Sequence, residues 1–564
     1  MSVDVPGLFG RAWRTWNGDA FVQDDYKVTH RLTLNLGLRY ERQGQLGEIL
    51  GRESTFNIAA ANPNPPAAGT IQGYVVASNF PGALPTGPDG SKPVRASTNT
   101  SLNNEGQNGW EPRIGFAWQL PGTDRFVLRG GYGVYITRTT GQPFFQLLAS
   151  PPFGTLREFF FPTIATAFPS FPPLPFFPPY QPPACVGNVC APTTSLTPTI
   201  FPPNFRPPLV QQYSMGLQTA LSRDTMLDIG YRGSRGLRLT QQRAWDQAVD
   251  ATVTPIRGQT DNTLGNLPLR QPVEGFNSAA ATTVESEGSS WYNALAVTLN
   301  KRFSHGLQFL ASYTWASALE TNPGYANGTL AGGSLQGDQT SRANYGFDDF
   351  IRPQRFVLSY VYNLPAPENH YSALGRLLSG WSVAGVTTFQ SGQRLTIHQS
   401  NELNAFGIIS TDQDRANVSG CTTPQLVTHG PVSNRLNGYF NGSCFTAPPV
   451  IGADGLVTAF GNGGIGNVAG PAQQDFDISI IKNIPLGHNE ARYLEFRAEF
   501  YNAFNTPSFA LPTIQDAGSV CVVGLDCLTA TSGVVGFNPD PGFGVISTTS
   551  VAPRIIQFAL KLYF

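Results

Sequence analysis

The sequence predicts an all-β fold: an antiparallel β-barrel that crosses a membrane on its strands. Three observations carry this. Apolar and polar residues alternate with period two over segments of about nine to twelve residues, the length that spans a bilayer at a tilt. The segments come in pairs joined by very short turns, and long polar connections separate the pairs. The chain also finishes on such a segment, "IIQFALKLYF", with Phe564 as its last residue.

The elements follow in order. "AFVQDDYKV" turns through "TH" into "RLTLNLGLRYE", where Leu32, Leu34, Leu36, Leu38 and Tyr40 alternate with Thr33, Asn35, Gly37, Arg39 and Glu41. "RIGFAWQL" turns through "PGTD" into "RFVLRGGYGVYI", and "QQYSMGLQTAL" through "SRD" into "TMLDIGYRG". "WYNALAVTLNKRF" turns through "SHG" into "LQFLASYTWAS". "QRFVLSYVYNL" reaches "GWSVAGVTTFQ" by a longer link, "DFDISIIKNI" reaches "RYLEFRAEFYNAF" through "PLGHNEA", and the closing strand stands alone. That makes about thirteen strands, against a usual sheet of about five or six.

Strand length and loop length together decide for a membrane. Strands of a soluble sandwich commonly have about five or six residues. Connections such as 138–209, which is rich in proline, and 391–473 are abnormal in a compact soluble sheet. They are normal outside the cell in outer-membrane barrels, whose short turns face the periplasm. The stretch "FPSFPPLPFFPPYQPP" forbids a helix, because proline lacks a backbone donor, and predicts a stiff loop of polyproline character. In lipid no backbone group can stay unpaired, so the sheet is expected to close on itself.

Alternation also assigns the faces. In "RYLEFRAEFYNAF", Leu494, Phe496, Ala498 and Phe500 point to lipid, while Tyr493, Glu495, Arg497, Glu499 and Tyr501 point to a water-filled lumen. Arg39 and Arg129 join Glu495, Arg497 and Glu499 as expected lumen-lining residues. Tyr40, Trp118, Tyr132, Trp315 and Trp381 suit the aromatic girdles at the membrane surfaces.

Composition agrees. Only 13% of residues are charged and 12% are aromatic, with 60 Gly and 46 Pro, a β-rich profile with about half the usual charge. The net charge of -1 and the lack of a Lys/Arg run offer nucleic acid no attractive field. Mean hydropathy is -0.14, and no apolar run is long enough for a membrane helix.

No constellation for catalysis emerges, and no cofactor or metal is expected. His30, His305, His370 and His488 fall in turns or short-end links, and His398 and His429 in a long loop, without a recognisable nucleophile motif. "GGYG", "GNGGIGNVAG" and "GTLAGGSLQG" lack the strand-then-helix setting of a phosphate loop. The acidic groups at Asp24 and Asp25, Asp348 and Asp349, and Asp412 and Asp414 lack the spacing of a calcium loop. The six cysteines pair by proximity inside loop segments: Cys185 with Cys190, Cys421 with Cys444, and Cys521 with Cys527 are the expected disulfides of an oxidising compartment.

The tail resembles the C-terminal insertion signal of bacterial outer-membrane barrels, with Ile556, Phe558, Leu560, Leu562 and Phe564 as its residues. "FVQDDYKVTHRLTLNLGLRYE", "PRIGFAWQLPGTDRFVLRGGYGVY", "GWSVAGVTTFQSGQRLTI", "LEFRAEFYNAFNTPSF" and "FGVISTTSVAPRIIQFALKLYF" together resemble the barrel of TonB-dependent receptors, particularly the Oar-like group. The resemblance spans nearly the whole of 1–564. It implies a barrel of about 22 strands with an N-terminal plug, an outer-membrane location, lipid and the barrel assembly machinery as partners, and an inner-membrane TonB complex that supplies energy. With about thirteen strands, and no recognisable plug, TonB box or signal peptide, the chain reads as a C-terminal part of such a receptor.

Two functions are then expected. One is energised uptake of a bulky nutrient, such as a siderophore, glycan or peptide. The other is a surface or adhesion role in which the loops bind an extracellular ligand and the barrel is an anchor.

Overall fold

The computed structural model describes residues 2–5, 10–98, 107–138, 151–153, 157–160, 175–191, 193, 196–277, 281–321, 344–365, 373–407, 414–486, 492–513, 517–522 and 535–564. Thirteen strands follow one another in a single antiparallel path. They are β1 (Asn17–Thr29), β2 (Leu32–Gln43), β3 (Gln107–Gln119), β4 (Phe126–Ile136), β5 (Leu209–Ala220), β6 (Thr225–Ala244) and β7 (Thr282–Ser304). The path continues through β8 (Leu307–Glu320), β9 (Gln354–Asn363), β10 (Trp381–Gln390), β11 (Gln473–Pro485), β12 (Tyr493–Tyr501) and β13 (Ile555–Tyr563). Two short strands, Thr199–Ile200 and Gly346–Phe347, attach to its side.

Each strand pairs with its predecessor in sequence, so the turns need only reverse the chain. Between β7 and β8 this takes two residues, His305 and Gly306, with φ of 52° and 78°. Positive φ at both positions gives a turn whose twist matches that of the strands, and glycine accepts it freely. The short turns lie at one end of the sheet, together with the longer link between β9 and β10, and the other connections lie at the opposite end.

The expected closure is not made by these strands. β1 and β13 are the two ends of the path. Both run toward the short-turn end, so bringing them together would make a parallel pair in an otherwise antiparallel sheet.

Register then tests the faces, because residues directly opposite across a ladder share a side. Leu560 lies opposite Phe496, Phe496 opposite Lys482, and Lys482 opposite Trp381. Followed strand by strand, this side carries Ile556, Phe558, Leu562, Tyr313, Trp315, Leu295, Ile229, Met215, Tyr132, Ile114, Trp118, Leu36 and Tyr40. Phe558 and Leu560 are each 66% exposed and Trp315 58%. A soluble protein would bury such a surface. The five aromatic residues expected at girdles all stand on it. Charge interrupts this side near the ends, at Arg42, Lys301, Lys482 and Arg235, and on edge strand β1 at Asp24.

The two largest buried apolar cores lie in the connections. Phe56, Tyr74, Phe177, Tyr180, Trp245 and Phe276 form one, drawn from the links after β2, β4 and β6. Leu395, Leu426, Tyr439, Phe440, Phe445, Phe543 and Ile546 form another, from the links after β10 and β12. The proline-rich segment is thus only partly the stiff loop its composition suggests, because Phe177, Tyr180, Phe201 and Phe205 pack inward.

β6 and β7 are also longer than alternation predicts, at 20 and 23 residues. Their ladder shifts register around Leu239 and continues into the loop region, where Gln241 and Thr283 are buried. The Cys185–Cys190 and Cys421–Cys444 disulfides are both formed in these connections. Cys527, expected to pair with Cys521, lies outside the described residues.

Candidate functional site: the polar face of the sheet

On the other side of the sheet, the same register gathers the polar residues. Glu495 stands opposite Lys561, and Glu499 opposite Gln557. Asp477 and Ser479 of β11 share this side with them. At the far end Arg39 stands opposite Glu111, and Arg129 between Ala117 and Gly216. All five residues expected to line a lumen, Arg39, Arg129, Glu495, Arg497 and Glu499, therefore share this face.

Two ion-pair groups organise it. On β12, Arg497 bridges its own-face neighbours, at 2.9 Å to Glu495 and 3.5 Å to Glu499. The larger group joins β1, β2, β3 and the start of the link after β4. Arg39 contacts Asp19 at 3.0 Å, Glu41 at 3.6 Å and Glu111 at 3.9 Å. Arg138 contacts Glu41 at 2.9 Å and Asp19 at 3.5 Å, while Arg113 contacts Glu111 at 3.3 Å. Glu41 and Glu111 are nearly enclosed, at 5% and 3% exposed. Glu111 also accepts the Ile136 N–H at 3.1 Å. Buried carboxylates must be paired to be tolerated, so this group fixes the outer ends of four strands to the loop that follows them.

Between the groups the face is open. A cleft of about 690 Å³ lies over β1 to β7, lined by Asp25, Asn35, Arg113, Tyr135, Gln212 and Arg232. Its floor is bare backbone where Gly115 faces Gly131. Asn35 donates to Asp25 at 2.6 Å. Such a surface suits hydrated or polar solutes.

The remaining candidates resolve into structural roles. His30 and His305 occupy tight turns and His398 and His429 outer connections, while His370 and His488 lie outside the described residues. Asp412 also lies outside them. Asp414 is buried and accepts from Asn401 at 2.6 Å and from the Gly461 N–H at 2.9 Å, which ties loop to loop. Among the described residues, no three His, Cys, Asp or Glu side chains group as a metal site.

Asp349, in the connection after β8, offers a pH test. Burial pushes its carboxyl up to about 6, against the lowering effect of the Thr396 hydroxyl, and Asp348 adds to the rise. The same hydroxyl donates to Asp349 at 3.0 Å and accepts the Gly466 N–H at 2.9 Å. A carboxyl raised in the folded state contributes stability that is full below its unfolded value, about pH 4, and is lost as pH rises through about 6. Protection of the Gly466 amide from hydrogen exchange, corrected for intrinsic rate, is expected to fall over that window by the equivalent of at most about 3 kcal/mol. Asp349→Asn should flatten the profile, and a slope unchanged in that variant would exclude Asp349 as its source.

Comparison with known proteins decides the membrane. A family model described as "Outer membrane beta barrel domain" matches residues 3–557. The chain belongs to the outer-membrane β-barrel domain family. Its location is accordingly the bacterial outer membrane, and the apolar side of this barrel sheet meets lipid. No curated protein matches the sequence.

Among solved structures it is similar to the outer-membrane transporter YddB from Escherichia coli, at 8% identity and TM-score 0.37, over 98% of this chain and 55% of that one. It is also similar to the ferripyoverdine receptor of Pseudomonas aeruginosa, at 9% identity and TM-score 0.39, over 98% and 39%. For the siderophore receptor PiuA from Acinetobacter baumannii the values are 9% and 0.36, over 94% and 42%. The barrel chain thus spans about half the length of these proteins or less.

Several members of the larger ion group were not found from the sequence. Glu41 was legible, since it stands two residues from Arg39 on one strand. Arg138 was not, because it lies beyond the end of β4, where alternation no longer assigns a side.

Proposed function

We propose that this outer-membrane barrel is part of a TonB-dependent receptor that takes up a bulky nutrient, with its polar face lining the route. The observation that carries the reading is the second side of the sheet, which gathers Asp25, Arg39, Arg129, Arg232, Asp477, Glu495 and Glu499 from β1 to β12, with single apolar residues such as Phe21, Leu310 and Val386 among them, beneath folded outer connections. An anchor would need only the lipid side. In this reading Arg39, Arg129, Glu495, Arg497 and Glu499 line the lumen, and a TonB complex acts through a region of the whole protein outside this chain. Siderophores, glycans and peptides all remain candidate cargo.

The second reading is a surface-binding or adhesion protein, favoured by the size of the two loop cores. A growth comparison separates the two. Cells lacking the gene should fail on one limiting nutrient, regain growth with the intact gene, and lose it again when TonB is inactivated. Equal growth on every nutrient, with reduced attachment to surfaces or cells, would replace uptake by adhesion.

A further inference from the structure

The link between β9 and β10 holds a short helix, α1 (Ala373–Leu378), at the short-turn end of the sheet. Leu374 and Leu377 are each 64% exposed and Leu378 48%. Six residues do not make a helix that stands alone, so something must hold it. Its last carbonyls, left unpaired by the helix itself, have partners on the sheet. Trp381 Nε1 donates to the Leu377 carbonyl at 2.8 Å. Lys482 Nζ donates to the same carbonyl at 3.1 Å, and also to that of Ser379. The ammonium lies 5.1 Å from the centre of the Trp381 ring. A cation at the helix C-terminus is favoured by the helix dipole.

The side of the sheet on which this happens is the decisive point. Trp381, Lys482, Phe496 and Leu560 form one row across β10 to β13, and that row belongs to the lipid-facing side. The helix is therefore tied to the outside of the barrel wall, away from the polar face. Leu364, 40% exposed and bonded through its N–H to the Trp381 carbonyl, carries the apolar band down to it.

We propose that α1 is an interfacial helix, lying in the periplasmic leaflet of the outer membrane with Leu374, Leu377 and Leu378 against phospholipid acyl chains. Trp381 and Lys482 are its anchor. Indole and ammonium groups at this level are at home among headgroups, and Lys482 turns its charge to backbone carbonyls and an aromatic face instead of into hydrocarbon. The continuity of the apolar band from strands to helix identifies lipid as the occupant.

The test uses the intact protein extracted from outer membranes and reconstituted in vesicles of phosphatidylethanolamine and phosphatidylglycerol. An environment-sensitive NBD label is attached at Leu377→Cys, at Leu560→Cys as a lipid reference, and at Val253→Cys as an aqueous reference. The label at 377 should lose intensity to a nitroxide carried on the lipid and be shielded from iodide, as at 560. Adding Lys482→Met should raise its access to iodide. Iodide quenching equal to that at 253 would overturn the proposal. So would shielding from iodide without quenching by lipid nitroxide, which would mean that a protein covers the helix.

Discussion

Leu560→Arg will block assembly of the barrel, and Lys561→Arg will leave it nearly unchanged. Leu560 lies in the lipid-facing row opposite Phe496 and is 66% exposed. Lys561 is its chain neighbour, opposite Glu495 on the polar side. A guanidinium on the lipid side near mid-membrane costs about 2–4 kcal/mol, whereas on the polar side one cation replaces another beside a carboxylate. Heat-modifiable folded protein in outer-membrane fractions measures the difference. Equal amounts for the two variants would mean that the sides are exchanged, and a loss confined to Lys561→Arg would mean the same.

Phe276→Ala is expected to unfold the first outer core while the strands beneath it stay paired. Phe276 is fully buried, with its ring 4.7 Å from Tyr180, 5.2 Å from Phe56 and 5.4 Å from Trp245. Emptying such a site costs about 3–5 kcal/mol, a large share of what a cluster of this size can contribute. The strands do not share that core, because their apolar side is solvated by lipid. Heat modifiability should therefore persist, while a protease added to intact cells cuts the connections much faster. Protease resistance like that of the unaltered protein would place the stability of the loops elsewhere.

The strands were legible because a strand crossing a membrane with water on its other side must alternate at every residue. β12 shows this plainly: Glu495, Arg497 and Glu499 declare one side, and Leu494, Phe496 and Phe500 the other. The turns were legible where two or three residues had to reverse the chain, as at His305 and Gly306. The outer cores were not legible. Phe56, Tyr180 and Phe276 come from three separate connections, and no local period links them, since nothing in an irregular chain repeats. α1 escaped for another reason. Six residues carry too little pattern to distinguish a helical turn from a loop, and its support comes from Trp381 and from Lys482, distant in sequence.

The composition of the two cores bears on how such proteins can diversify by recombination. Neither core is the property of one connection. The first is shared among segments after β2, β4 and β6, the second between segments after β10 and β12. Transplanting a single connection from a relative would bring half of an interface into contact with a stranger. Viable chimeras should instead exchange whole sets, with the crossover inside β7 to β9, where both large cores are left undivided. Such a crossover must still reconcile a few bonds between the halves, among them Ala248 N–H to the Phe406 carbonyl and Ala453 N–H to the Asn262 carbonyl. Inheritance of the exposed surface would then proceed in two blocks, each retaining the partners with which it was selected.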